Sequence, residues 1–172
     1  MPDKKETPKK VAPAVATKEE EILDFSQVKP FDPLDSSRMY KVRVTDLHNE
    51  IASTGKKMVV AEFTVLAPEI VNTEDWIEDD NGDLKFSAKS DKIIKAEGRK
   101  LFRNFTKTPE ALPFLYNFLK ACDPEVELNE AFRFRPAEWI GSELAVRGKN
   151  NPYQEQVRLS PDKVYPVSKY KE

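Results

Sequence analysis

A small, mainly β barrel with one α-helix is the fold this sequence predicts, and three observations predict it. Five runs alternate apolar and polar residues with the period of a half-buried strand. One segment of helical periodicity, Thr108 to Ala121, falls between the third and fourth of these runs. The 172 residues suffice for one core with loose ends. Strand, strand, strand, helix, strand, strand is the order of the OB-fold, a five-stranded Greek-key barrel that commonly holds single-stranded nucleic acid or oligosaccharide. An inserted acidic β-hairpin completes the expected architecture.

Residues 1–21 contain Lys, Pro, Ala, Thr and Glu but no aromatic residue. They offer too little apolar surface to offset the entropy of ordering, so a disordered arm is expected. Residues 22–167 then form the barrel domain, and 168–172 a flexible tail. The lead-in from Ile22 to Ser37 carries Leu23, Phe25, Val28 and Phe31 among prolines, as an extended segment pinned by apolar anchors would. Strand 1 is Met39 to Leu47, with Tyr40, Val42 and Val44 on its apolar face. A loop from His48 to Lys57 turns at Ser53-Thr54-Gly55. Strand 2 is Met58 to Leu66, with Val59, Ala61, Phe63 and Val65 inward and Met58 and Val60 on the other face.

Residues 67–91 interrupt this pattern. Trp76-Ile77-Glu78 and Leu84-Lys85-Phe86 flank Asp79-Asp80-Asn81-Gly82-Asp83. Asn-Gly is the strongest two-residue hairpin signal, so a projecting acidic hairpin is expected. Strand 3 runs from about Ile93 to Phe105, its phase shifting at Gly98 as a bulge or bend requires. Thr108 is placed as N-cap, with Pro109 at the first helical position and Glu110 beside it. Leu112, Leu115, Leu119 and Cys122 make one stripe, with Phe114 and Phe118 alongside. Asp123-Pro124 stops the helix. After a linker, strand 4 is Trp139 to Gly148, a polar turn occupies Lys149 to Pro152, and strand 5 is Tyr153 to Leu159.

Charge is segregated along the chain. Residues 67–91 carry eight acidic and two basic side chains, whereas 92–108 carry six basic and one acidic. The helical region 109–130 has five acidic and one basic, and 131–172 has eight basic and five acidic. The strand segments are therefore basic and the helix and insertion acidic, so a net charge of −2 does not argue against a nucleic-acid partner. No apolar run approaches the roughly 18 residues of a membrane span, and the N-terminus lacks the apolar core of a secretory signal. One cysteine, Cys122, excludes an internal disulfide and multi-cysteine metal sites. A cytoplasmic protein is expected.

Little in the sequence speaks for catalysis. His48 is the sole histidine, lies in the expected loop and has no evident partner nearby in sequence. No glycine loop suited to cradling phosphate appears. Asp79, Asn81 and Asp83 match the first spacings of a calcium loop, but Leu84 and Ser90 stand where glycine and glutamate are needed. No enzyme activity, metal or cofactor is expected.

Cations interleaved with aromatics are what a single-strand binder needs, since cations track phosphates and rings stack on bases. The basic set is Lys41, Arg43, Lys56, Lys57, Lys95, Arg99, Arg103, Arg133, Arg135, Arg147, Lys149 and Arg158. Phe102, Phe105, Phe132, Phe134, Trp139 and Tyr153 lie among them. The plain alternative is that the rings fill the barrel and the cations solvate its surface. Ala131-Phe132-Arg133-Phe134-Arg135-Pro136 reads either as a stacking strip or as a short edge strand with both rings inward. In OB-folds the groove is flanked by the loops joining strands 1 to 2 and 4 to 5. Here those loops carry Lys56 and Lys57, and Lys149, Asn150, Asn151 and Tyr153. Arg43, Lys56, Lys57, Lys95, Arg99, Arg103, Arg147 and Lys149 are the expected phosphate contacts. Phe102, Trp139 and Tyr153 are the expected stacking residues.

From Leu23 onward the chain resembles a phage and prophage family long catalogued as a domain of unknown function. Asp24-Phe25-Ser26, Phe31-x-Pro33-Leu34, Thr54-Gly55-Lys56-x-Met58 and Phe63-x-Val65 carry the resemblance. So do Arg99-Lys100-Leu101-Phe102-x-Asn104-Phe105, Thr108-Pro109-Glu110-Ala111-Leu112, Phe118-Leu119-Lys120-Ala121 and Trp139-Ile140-Gly141. It covers about residues 23–166. The resemblance implies an OB-fold single-stranded-DNA-binding protein acting beside replication or recombination genes. The 67–91 insertion departs from that family's pattern, and so does the end Ser168-Lys169-Tyr170-Lys171-Glu172, where an acidic recruiting tail is common. The sequence thus leads to a non-catalytic coat for single-stranded DNA, with replication or recombination proteins and further copies of the chain as candidate partners. The alternative is a β-barrel protein-interaction or assembly module that uses the acidic hairpin.

Overall fold

Alternating apolar residues fold into strands with one buried face. In β1 (Met39–Ile51) the inward set is Tyr40, Val42, Val44 and Leu47, and in β2 (Lys57–Ala67) it is Val59, Ala61, Phe63 and Val65. The two pair antiparallel with Val44 opposite Phe63 and Leu47 opposite Ala61, so their apolar faces coincide. The computed structural model describes residues 21–23, 32–153 and 156–171. Residues 31–172 form one unit and 1–30 another, of which Ile22 and Leu23 are described and exposed. The N-terminal arm up to residue 20 and the expected anchors Phe25, Val28 and Phe31 lie outside the described residues.

The remaining elements are β3 (Ile70–Glu78), β4 (Leu84–Lys95), β5 (Lys100–Thr106), α1 (Leu112–Cys122), β6 (Glu143–Tyr153) and β7 (Gln156–Pro166). Short 3-10 turns cover Pro136–Trp139 and Val167–Lys169. Five strands make one antiparallel sheet in the order β5-β2-β1-β6-β7, and β3 and β4 form a separate two-stranded sheet. The protein is mainly β, but neither sheet is closed. No ladder joins the edge strands β5 and β7. Instead Arg103 of β5 donates from Nη1 to the carbonyls of Pro161 (3.1 Å) and Asp162 (3.0 Å) of β7.

Helix α1 lies against β5, β6 and β7 and buries Leu115, Phe118, Leu119 and Ala121. Phe118 stacks on Phe105 (4.9 Å between centroids) and meets Phe63 edge-on (5.8 Å), arrangements that aromatic quadrupoles favour. Leu112, expected on the core stripe, is exposed. The helix also starts later than Thr108. The Thr108 carbonyl accepts from Ala111 and Leu112 in a separate turn, and Ala111 is the N-cap without a side-chain bond. Two prolines, Pro109 and Pro113, both suit a first helical turn, and Pro113 occupies it.

Four further expectations are corrected. The run from Ile93 to Phe105 is two strands. Gly98 has φ +89° and sits in a turn, with its N–H on Val65 O and those of Ala96 and Glu97 on Glu69 O. Residues 93–95 therefore belong to the hairpin, pairing with 70–72. Trp139 lies in a 3-10 turn, not in a strand. Lys149 to Pro152 is strand rather than turn, since β6 and β7 stay paired from Leu144 and Pro166 out to Tyr153 and Gln156. Residues 131–135 form a loop, though Phe132 and Phe134 do pack inward as alternation implied.

The hairpin's Asn81-Gly82 tip is as expected, with Asp79 accepting from the Asn81 and Asp83 amides and held below the usual carboxylate range chiefly by that Asp83 bond. Its root, however, is docked. Val71, Thr73 and Glu74 are buried, Thr73 Oγ1 donates to Pro33 O (2.6 Å), and Leu34 bridges to Thr73. Glu74 Oε2 accepts from the Ser36 amide and hydroxyl (both 2.6 Å), while Oε1 accepts from Asn150 Nδ2 (2.7 Å) and Trp76 Nε1 (3.2 Å).

Removing a carboxylate that satisfies four donors leaves buried groups unpaired, so Glu74→Ala should destabilise by about 2–4 kcal/mol in urea unfolding, while Asp80→Ala at the tip stays within about 0.5 kcal/mol. At Gly148 an added Cβ would meet Leu159 Cγ at 2.7 Å and the Ser160 carbonyl at 2.8 Å. Gly148→Ala should cost about 1–3 kcal/mol by the same measurement.

Candidate nucleic-acid interface

Where β5 and β7 fail to pair, an open cleft of about 1140 Å³ remains. One wall is the end of β4 and the turn into β5, including Ile94, Lys95, Arg99, Lys100 and Phe102. The other is the outer part of the β6–β7 hairpin, from Asn151 and Pro152 to Val157, Arg158 and Ser160, with Asp32 and Leu34 also lining it. Four cations thus face two carboxylates, those of Asp32 and Glu97. Phe102 is half exposed at 50%, because it sits on the outward face of β5 between the inward Leu101 and Arg103. An apolar ring standing in water beside cations suits base stacking, typically worth ~1–3 kcal/mol per base.

The expected site residues divide into groups. Lys95, Arg99 and Phe102 come together in the cleft. Arg103 lies further along the same seam, clamping it. Arg43 is on the outer face of β1 and bonds Glu143 Oε2 (2.9 Å), which lowers the Glu143 pKa. Arg147 donates to Ser37 O (3.0 Å). Lys56 and Lys57 are exposed at the β1–β2 turn, at the opposite end of β5 from the cleft. Lys149 is exposed on β6 opposite Ser160. Trp139 is partly buried, packed against the core beside Phe132 (6.4 Å) and away from the residues that line the cleft. The Tyr153 backbone ends β6, and its side chain is outside the described atoms. The expected site residues therefore do not lie in one continuous group.

Several arginines are anchored by backbone carbonyls. Arg99 donates from Nη2 to Asp32 O (3.0 Å), and burial lowers its pKa against the pull of the Asp32 charge. Burial likewise lowers that of Arg103, whose guanidinium lies over Phe105 (4.7 Å) and Phe114 (5.5 Å). Lys100 is a cleft cation that sequence reasoning missed. Its position two residues before Phe102, on the same strand face, was the available signal. It donates to Thr64 Oγ1 (3.0 Å) and pairs with Glu62 (3.3 Å).

His48 also differs from expectation. It lies in β1 and is held between Asp46 (Nδ1 to Oδ2, 2.7 Å) and Glu50 (Nε2 to Oε2, 2.8 Å). Residues two apart on a strand share a face, so the three side chains form a ladder. Cys122 packs against the core, and burial pushes its thiol up to about 12. Among the described residues no group of three or more His, Cys, Asp or Glu could hold a metal, and no helix is long and apolar enough to cross a membrane. No protein-family model matches the chain, and no curated protein matches it.

The bonds from Glu50 and Asp46 raise the His48 pKa above the ordinary imidazole value of 6.5. The ladder's contribution to stability should be fully present below the unfolded pKa of ~6.5 and fade as pH rises through the folded value. A proton NMR titration of this single histidine should show the raised midpoint, and Asp46→Asn with Glu50→Gln should bring it down. An unchanged midpoint in that double variant would remove the ladder.

Proposed function

We propose that this protein binds and coats single-stranded DNA without catalysis and with little sequence preference, in phage replication or recombination. The reading takes the five-stranded sheet as an OB-type barrel left open along the β5–β7 seam. It assigns the chain to the phage and prophage family whose motifs it resembles. The observation that carries it is the cleft, which Lys95, Arg99, Lys100 and Arg158 line together with a half-exposed Phe102. A flexible single strand can enter a slot along a barrel seam that a rigid duplex cannot. Cations on both walls and one ring supply the two kinds of contact such strands need. Base-edge readout would call for polar side chains held in fixed orientations, and the exposed cations here offer charge instead.

A second reading, a protein-interaction module, draws on the hairpin. Ile77 (58% exposed) and Phe86 (51%) stand out beside Asp75, Glu78 and Asp80. A pair of surface substitutions, Ile77→Ser and Phe86→Ser, separates the readings. They should leave DNA affinity unchanged under the first, and abolish a protein partnership under the second.

The first reading is tested by fluorescence anisotropy with labelled oligo-dT. Binding should weaken steeply with salt, by about 0.7 in log K per log salt for each phosphate contact. Phe102→Ala should lose roughly 5- to 150-fold in affinity at constant salt, the equivalent of one stacked base. Lys95→Gln with Arg158→Gln should flatten the salt slope by about 1.4. Binding indifferent to salt, or full affinity in Phe102→Ala, would sink the proposal.

A further inference from the structure

Beyond the cleft, the outward face of β5 and its neighbour β2 leads to a second group of cations. On β5 that face presents Lys100, Phe102, Asn104 and Thr106. The β2 residues opposite them are Thr64, Glu62, Val60 and Met58. The middle of the strip therefore carries no cation, with Phe102 its exposed ring. Its one carboxylate, Glu62, is occupied by Thr45 Oγ1 (2.6 Å) and Lys100 (3.3 Å).

At the far end the Lys107 amide bonds Lys57 O (2.9 Å), and by alternation both residues fall on the side of the inward Phe105 and Val59, so this group sits around the strand ends and not on the strip itself. The Lys107 ammonium reaches Asn49 Oδ1 and lies over the Phe134 ring (5.8 Å). That contact brings in the 131–135 loop, in which Arg133 and Arg135 are exposed on either side of Phe134. Lys56 is exposed in the adjoining turn. Among the described residues, Lys57, Lys107 and Arg133 have no carboxylate partner, and Arg135 has only the exposed Glu138 (3.5 Å). Glu50, opposite Met58, is engaged by His48. Burial, and after it the neighbouring Lys57 charge, lower the Lys107 pKa.

The geometry points to a second phosphate-holding subsite, formed by Lys57, Lys107, Arg133 and Arg135 at the far end of β5. A single strand seated in the cleft then runs along the outer face of β5, bends over the strand end and is held there as well. This inference rests on the single-strand reading above and adds the path and its second anchor. The 7 residues of β5 span roughly 20 Å at ~3.3 Å per residue, so a strand that reaches only the cleft misses the second group.

The experiment compares labelled oligo-dT of about 4 and about 16 nucleotides, the short and long ends of the footprints of such barrels. Wild-type protein should bind the long strand well above tenfold more tightly than the short one. Lys57→Gln with Lys107→Gln should weaken long-strand binding about tenfold, flatten its salt slope by about 1.4, and leave short-strand binding unchanged. Arg133→Gln with Arg135→Gln, both exposed in a loop, carries the same expectation and does not touch the sheet. If the long strand binds both variants like wild type while Phe102→Ala still fails, the second subsite is overturned and the cleft stands. If wild type binds neither strand, both are overturned.

Discussion

Four donors converge on one buried carboxylate, that of Glu74, and the shape of the cleft depends on it. The β3–β4 pair is not part of the main sheet, so no ladder dictates where it stands. Ser36 ties Glu74 to the segment before β1, and Asn150 ties it to β6. Asn150 also donates to Leu34 O (2.7 Å), and Tyr40 donates to Asp35 O (2.6 Å), so the same knot fixes the lead-in. A buried carboxylate is costly unless its lone pairs are filled, which makes this arrangement intolerant of partial disruption. One wall of the cleft grows from the hairpin root and the other from the β6–β7 hairpin just beyond Asn150. Glu74 is what holds those two walls in register.

The seam shows a division of labour between arginine and lysine. Arg99, Arg103 and Arg147 each donate to a backbone carbonyl, and Arg43 pairs with a carboxylate. A planar guanidinium with several donors suits that task better than an ammonium. Arg103 stands in for the missing ladder between β5 and β7, and the cleft opens on one side of its clamp. The lysines at positions 56, 57, 95 and 149 remain exposed. Sequence reasoning weighed the two cations alike, yet the fold uses most of these arginines for construction and leaves the lysines to solvent.

The strand faces were legible because burial repeats every second residue, and Tyr40, Val42, Val44 and the Val59–Val65 set all point inward. The helix core was legible for the same reason at its own period. What was not legible depended on competition between equal local signals or on distant partners. Pro109 and Pro113 are both acceptable helix starters, and only packing separates them. Gly98 could serve a bulge or a turn, and the acceptors on Val65 and Glu69 decide for the turn. The polar run Lys149 to Pro152 resembles a turn because its inward position, opposite the buried Leu159, is filled by Asn150, whose amide serves Leu34 O and Glu74 where an apolar residue would signal a strand. Arg43 meets Glu143 across 100 positions of sequence, and no local pattern reveals that its charge is spent. Of the cleft, the cations were visible but their grouping was not, since it follows from where two edge strands happen to approach.

That grouping also explains how a chain of net charge −2 can offer a basic site. The tip acids Asp79, Asp80 and Asp83 lie at the far end of β4, whose 12 residues lead back to Lys95 at the cleft. At ~3.3 Å per residue that is roughly 40 Å, several times the Debye length of about 8–10 Å near physiological salt. The hairpin therefore contributes to the net charge but hardly to the potential a phosphate meets in the cleft. Closer carboxylates matter more, and two of them are paired locally, Glu62 with Lys100 and Asp32 with Lys92, while Glu97 lines the cleft among its four cations. Such exposed pairs are individually weak, about 0–1 kcal/mol, so they neutralise without locking. An arriving polyanion can take Lys100 from Glu62 at small cost, whereas taking Arg103 would undo the clamp that makes the cleft.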